Sequence, residues 1–207
     1  MKILGMDEAG RGCVLGALFV GACCCTEEQL DAILQSGATD SKKLSATKRK
    51  KILQTLDQIA QCRYSSISAV EIDAGNINTL EERAFVEHIL YFEPDVVYID
   101  APTHPRGIPA VQQRLVQAIQ QADKPVPQFI IEPKADLNYP IVGAASIIAK
   151  VHRDASIEKL GSVGSGYPSD PKTRAWIKGF FERGEDLPKS VRTRWGTIEN
   201  LKKEARS

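Results

Sequence analysis

The sequence predicts an α/β fold: a mixed sheet of about five strands flanked by helices, plus a C-terminal helical part. Two observations lead there. Strand-length apolar runs follow one another at the N-terminus and then alternate with helical segments, which suggests an antiparallel front with parallel additions. The last part of the chain is basic and mainly helical in pattern. On this reading residues 1–160 form the main domain and residues 161–207 pack on it.

The elements can be justified in order. Ile3 to Met6 is a short apolar run that closes on Asp7-Glu8, a strand signal. Val14 to Cys24 is rich in apolar and small residues and reads as a second strand after the Gly10-Arg11-Gly12 turn. Ser45 can N-cap a helix from Ala46 to about Gln61. Tyr64 to Val70 reads as a third strand. Asn78 with Glu81 resembles a capping box, with a helix running on to about Phe92. Asp95 to Asp100 has the composition of a buried strand, Val96-Val97-Tyr98-Ile99 ending on an acid. Ile108 to Gln121 is helical, and Val126 to Ile131 is a fifth strand. Pro140 opens an Ala/Ile-rich helix to about Leu160, followed by a loop from Gly161 to Pro168.

Composition narrows the class. With 43% hydrophobic and 26% charged residues over 207 positions, the chain reads as an ordinary globular protein with a sizeable core. No apolar run approaches the ~18 residues needed to span a bilayer, so no membrane association is expected. The N-terminus lacks the pattern of a secretory signal, which makes a cytoplasmic location the expectation. The five cysteines show no metal-type spacing. Cys23, Cys24 and Cys25 would alternate across a strand as apolar filler.

Net charge is only +1, but it is unevenly spread. Residues 39–51 carry six Lys/Arg against one acid, and residues 171–207 carry ten against five. Residues 71–100 carry eight acids against one Arg. A polarised molecule with a phosphate-binding side would show this pattern, although solvated helix faces would show it too.

The acids at strand ends carry the chemical argument. Asp7 and Glu8 follow one apolar run, Asp100 follows another, and Asp136 lies just ahead of the long helix. Acids in such places can converge in the crevice beyond the sheet. Converging carboxylates resist ionisation unless a cation compensates them. Oxygen ligands suit hard ions, hence Mg²⁺ or Mn²⁺. Two such ions about 4 Å apart can activate water and stabilise a leaving oxygen in phosphodiester cleavage. His88, His104 and His152 have no ligand-like spacing. A single strand-end Asp more often caps a turn; Asp7-Glu8 within Gly5-Met6-Asp7-Glu8-Ala9-Gly10-Arg11-Gly12 is a more specific signal.

That motif carries a family resemblance. Asp-Glu-Ala-Gly-Arg-Gly at 7–12, Asp-Ser-Lys-Lys-Leu-Ser at 40–45, Val-Val-Tyr-Ile-Asp at 96–100 and Lys-Ala-Asp at 134–136 stand in order. Ala-Ala-Ser-Ile-Ile-Ala-Lys-Val-His-Arg-Asp at 144–154 and Gly-Ser-Gly-Tyr-Pro-Ser-Asp-Pro-Lys-Thr at 164–173 complete the set. The sequence resembles ribonuclease HII, the type 2 ribonucleases H, over nearly its whole length. Val191 to Thr197 makes the resemblance archaeal-like.

The resemblance implies a ribonuclease-H-like fold. It implies a metal-dependent endonuclease that hydrolyses the RNA strand of RNA–DNA hybrids. It also implies incision 5′ of ribonucleotides embedded in duplex DNA, leaving 3′-hydroxyl and 5′-phosphate ends, in DNA replication and repair. Asp7, Glu8, Asp100 and Asp136 would be the catalytic, metal-binding carboxylates. Gly10, Arg11 and Gly12 would read the 2′-hydroxyl, Tyr167 would stack on a neighbouring sugar, and Lys42 and Lys43 would contact phosphates. Asp154, which closes the Arg153-Asp154 end of the long helix, is expected in a structural ion pair rather than as a fifth catalytic acid. A monomer is expected, with no sliding-clamp peptide evident at the C-terminus. A DNA-cutting nuclease of the same broad fold, and a non-catalytic hybrid-binding protein, remain the alternatives.

Overall fold

The computed structural model describes residues 1–38 and 44–206. The sheet has five strands in the order β3-β2-β1-β4-β5. These are β1 (Lys2–Ala9), β2 (Leu18–Thr26), β3 (Gln61–Ile67), β4 (Val96–Asp100) and β5 (Gln128–Glu132). β1 pairs antiparallel with β2, and β2 with β3; β4 joins β1 in parallel, and β5 joins β4 in parallel. The expected mixed sheet is therefore present. The helices are α1 (Leu30–Gln35), α2 (Ala46–Ile59), α3 (Ala69–Ala74), α4 (Ile77–Phe92), α5 (Ile108–Gln121), α6 (Ala135–Asn138), α7 (Pro140–Glu158), α8 (Pro171–Arg183) and α9 (Gly196–Glu204).

Strand alternation sorts the core into two layers. Leu4, Met6, Val20, Ala22 and Cys24 face Phe85, Ile89, Leu115 and Ile119 of α4 and α5. Ile3, Cys23 and Cys25 face Ile33, Leu56 and the Ala/Ile face of α7. The three consecutive cysteines thus divide between the two layers as alternation requires. A third cluster joins Val14 and Leu15 to Val163, Ile177, Val191, Ile198 and Leu201, seating the C-terminal helices beside the first turn. Among the described residues no helix is long and apolar enough to cross a membrane.

The centre of the fold is the contact between α7 and the first two strands. A Cβ on Gly5 would land on the Ile141 carbonyl, and one on Gly21 would land on the Ala145 carbonyl. The bare glycines let the helix backbone lie directly on the sheet. Gly21→Ala therefore must push α7 outward. Overpacking of this kind costs about 1–3 kcal/mol or more. We expect a fall in melting temperature of roughly 3–10 °C for a chain of this size, read by calorimetry; an unchanged value would mean that the helix is not held this closely.

Several boundaries differ from the sequence expectation. β2 begins at Leu18, not Val14, because residues 14–16 bond elsewhere: the Val14 and Leu15 amides donate to Gly166 O, and Gly16 N donates to Ser190 O. β3 runs from Gln61 to Ile67, earlier than the Tyr64–Val70 reading. Ser68 instead caps α3 in a capping box with Glu71. Asn76, not Asn78, caps α4, its side chain accepting from Asn78 N and Thr79 N. Glu81 consequently has no capping role and lies fully buried. The sequence pattern does not show α1, α3 and α6; each is six residues or fewer, too short for a periodic signal. Ser45 caps α2 as expected.

Candidate active site

β1 extends through Asp7 and Glu8 to Ala9. Consecutive strand residues point to opposite faces, so the two acids part company. Asp7 shares the face of Ile3 and Gly5, towards α7, and is 3% exposed. Its carboxylate lies 4.0 Å from Lys150 Nζ, which in turn donates to Ser146 Oγ.

Asp100 ends β4 beside β1, where the parallel register sets Met6 against Ile99. The Ala135 amide donates to Asp100 Oδ1 at 3.0 Å. Ala135 opens α6 just after Lys134, which holds a left-handed conformation (φ 61°) that non-glycine residues rarely adopt. That turn sends Asp136 into the interior at 1% exposure. Carboxylate oxygens of Asp7, Asp100 and Asp136 all lie within 4.8 Å of one another.

Burial is costly to such a cluster. It raises the Asp7 pKa from an ordinary 3.8 to about 8, with the Glu8 charge adding to the rise and Lys150 opposing it. A divalent cation would remove this penalty, and three hard oxygen donors at this spacing suit one. The donor set thus fits the metal that the sequence implied. Glu8 lies outside the three but lines the same cleft.

That cleft, about 370 Å³, is also lined by Gly10, Arg11, Gly12, Arg49, Lys150, Arg153, Asp154 and Tyr167. The expected sugar-reading turn and the expected stacking ring therefore stand beside the acids. Tyr167 is 40% exposed, and a Cβ on Gly12 would sit 4.0 Å from its ring. Arg153 lies under this ring with its guanidinium 4.9 Å from the ring centre. It donates to Cys13 Sγ at 3.0 Å and to the Ser165 carbonyl, linking the turn to the Tyr167 loop. Asp154 pairs with Arg153 at 3.0 Å and with Arg49 at 2.9 Å. Lys42 and Lys43 lie outside the described residues.

Two contributors escaped the sequence reading. Glu81 of α4 forms an ion pair with Arg11, and Asn78 accepts a hydrogen bond from the same guanidinium. The available signal was an acid on the apolar side of a helical pattern. Arg192 is fully buried and reaches the carbonyls of the turn from the far end of the chain; no local pattern announces it.

Comparisons with known proteins point to one family and fold. A family model described as Ribonuclease HII matches residues 4–198. Ribonuclease HII of Archaeoglobus fulgidus is 37% identical over 206 residues, covering 96% of this chain and 95% of its own. That of Pyrococcus horikoshii is 38% identical over 216 residues, covering 100% and 95%. The crystal structure of ribonuclease H2 from P. horikoshii OT3 superposes with a TM-score of 0.86 at 36% identity over 100% of both chains. The A. fulgidus RNase HII solved in complex with PCNA gives 0.84 at 36%, over 96% of each. Bst-RNase HIII, solved with Mn²⁺, gives 0.79 at 16% identity, covering all of this chain and 70% of its own, and shares the fold. The sheet and its helices are the ribonuclease-H-like fold, and the chain belongs to the ribonuclease HII family, hydrolases that act as endonucleases on RNA in RNA–DNA hybrids.

Proposed function

We propose that this protein incises duplex DNA on the 5′ side of an embedded ribonucleotide, as well as the RNA strand of longer hybrids, leaving 3′-hydroxyl and 5′-phosphate ends. The observation that carries the reading is the cluster of Asp7, Asp100 and Asp136, the first two of which line one cleft with the Gly10–Gly12 turn. Asp7, Asp100 and Asp136, with Glu8 beside them, would hold Mg²⁺ or Mn²⁺. When bound, such ions supply an activated water and charge stabilisation for the departing 3′ oxygen.

The chain's own groups do the rest. The carboxylates set where the scissile phosphate can approach. Lys150, 4.0 Å from Asp7, offsets part of their charge. The Gly10–Gly12 backbone reads the 2′-hydroxyl, which both donates and accepts hydrogen bonds. Tyr167, half-exposed beside Gly12, packs on the adjoining sugar. Arg11 is held by Glu81, and Lys42 and Lys43 position the backbone through charge. Residues 161–207 complete the substrate surface on a catalytic region of residues 1–160. The protein works as a monomer in the cytoplasm, in DNA replication and repair.

The test is a labelled DNA duplex with one ribonucleotide, incubated with Mg²⁺, with Mn²⁺ and with chelator. A single metal-dependent cut 5′ of the ribonucleotide, absent on all-DNA duplex, is expected. Cutting of the all-DNA duplex would favour a DNA nuclease, and binding without cutting would favour a non-catalytic hybrid-binding protein.

A further inference from the structure

We infer that Arg192 is a positioning residue that sets the 2′-hydroxyl-reading turn in its working orientation from behind. This rests on the reading of Gly10–Gly12 given above and adds the group that makes it possible. The Arg192 side chain is fully buried, at 0% exposure. Its Nη2 donates to Gly10 O at 2.7 Å, Nη1 to Arg11 O at 2.9 Å and Nε to Gly16 O at 3.0 Å. The Trp195 ring lies 5.4 Å from the guanidinium carbon. Burial pushes the Arg192 pKa down to about 10, so the group stays charged at neutral pH.

A buried charge is tolerated only where its donors are satisfied. Here the three hydrogen-bond acceptors just named are backbone carbonyls of one loop, residues 10–16. The planar guanidinium presents donors in fixed directions, which a lysine ammonium cannot copy. Arg192 therefore constrains the orientation of two successive peptide planes.

Those planes decide what the cleft sees. In a trans peptide the carbonyl and the following N–H point in opposite directions, and the described chain has no cis bonds. With Gly10 O and Arg11 O turned onto Arg192, the amides of Arg11 and Gly12 point away from it. Gly10, Arg11 and Gly12 line the cleft, while Arg192 lies wholly behind them. Two adjacent amides are thereby aimed together at the side where a sugar hydroxyl would sit. Were the carbonyls free to rotate, the turn would offer a mixture of donors and acceptors with no fixed preference.

The experiment compares Arg192→Lys and Arg192→Gln with wild type on two DNA duplexes in Mn²⁺. One carries a single ribonucleotide and the other a 2′-fluoro-2′-deoxynucleotide at the same place. Mn²⁺ affinity is measured in parallel by titration calorimetry. The expected result is a fall in kcat of about 10–100-fold on the ribonucleotide. KM and Mn²⁺ affinity should stay within about twofold of wild type, and selectivity for ribose over 2′-fluoro should shrink about tenfold. Arg192→Lys keeps the charge, so it carries the test if Arg192→Gln does not fold. Unchanged selectivity, whatever happens to rate, would reduce Arg192 to a structural group and overturn the inference. A Gly12→Ala protein run alongside separates the two layers. If it loses selectivity while the Arg192 variants keep it, only the positioning role falls; if it too keeps selectivity, the reading turn itself is wrong.

Discussion

Asp7→Asn is expected to lower ribonucleotide cleavage about a thousandfold or more, and at the same time to make the chelated protein more stable. The two effects share one cause. Asp7 is 3% exposed in a cluster of acids, and burial with the nearby Glu8 charge raises its pKa to about 8. A bound cation stabilises transition-state charge by several kcal/mol, which converts to at least that loss in rate. Without the cation, the carboxylate is a liability that the amide removes.

The sign of the pH dependence follows from linkage. Folded Asp7 keeps its proton up to about pH 8, whereas the unfolded chain releases it near the ordinary 3.8. The native state binds more protons across that window, so its stability falls as pH rises from about 4 towards 8. Asp7→Asn lacks this slope. Its stability in chelator, read from the melting temperature, should match wild type near pH 4 and exceed it increasingly towards pH 8, by an amount on the order of several kcal/mol. His88 is buried with its pKa lowered to about 4, and it contributes equally to both proteins, so it cancels in the difference. Adding Mn²⁺ should reverse the order by stabilising wild type alone. A flat difference across pH would mean that Asp7 is not held in this acid cluster.

Gly12→Ala is the second large effect, and it should separate stability from activity. Gly12 is not among the glycines with positive φ, and the nearest atom a Cβ would meet is a Tyr167 ring carbon at 4.0 Å. The protein itself therefore has room for alanine. Such a change stabilises a fold by about 0.4–1 kcal/mol through the unfolded chain. A substrate sugar drawn against this backbone has no such room. A displacement of about 1 Å at the reacting centre costs roughly a hundredfold in rate. We expect cleavage at a single ribonucleotide to fall by about that factor while the melting temperature holds or rises. Gly10 would be a poorer probe: with its φ of 91° and the Ala17 carbonyl 2.9 Å from where a methyl would sit, alanine there is a folding defect. Wild-type activity in Gly12→Ala would remove the turn from the substrate.

Much of the molecule is legible locally. Strand alternation places Cys23, Cys24 and Cys25 on alternate faces, and the apolar run Val96–Ile99 marks the strand that carries Asp100 to its end. The motif at residues 7–12 and the acids at 100 and 136 are visible because each lies next to a strand or a helix start in sequence. Ser45 reads as a cap, and is one, because capping is a contact over three residues.

What sequence alone could not decide involves groups far apart along the chain. Residues 14–16 have strand-like composition, yet their amides are taken by Gly166 and Ser190, so β2 starts late. Glu81 looks like a cap three residues from Asn78; only the packing of α4 against the first turn makes it the partner of Arg11. Asp7 and Glu8 read as one pair, but the strand runs through both, and its pleat puts only Asp7 with Asp100 and Asp136. Arg192 and Gly10 are 182 positions apart. Local propensity and motif are short-range properties, so they determined the longer elements and pointed to the acids; the orientation of the turn depends on a buried charge finding its acceptors, and only the folded chain brings those together.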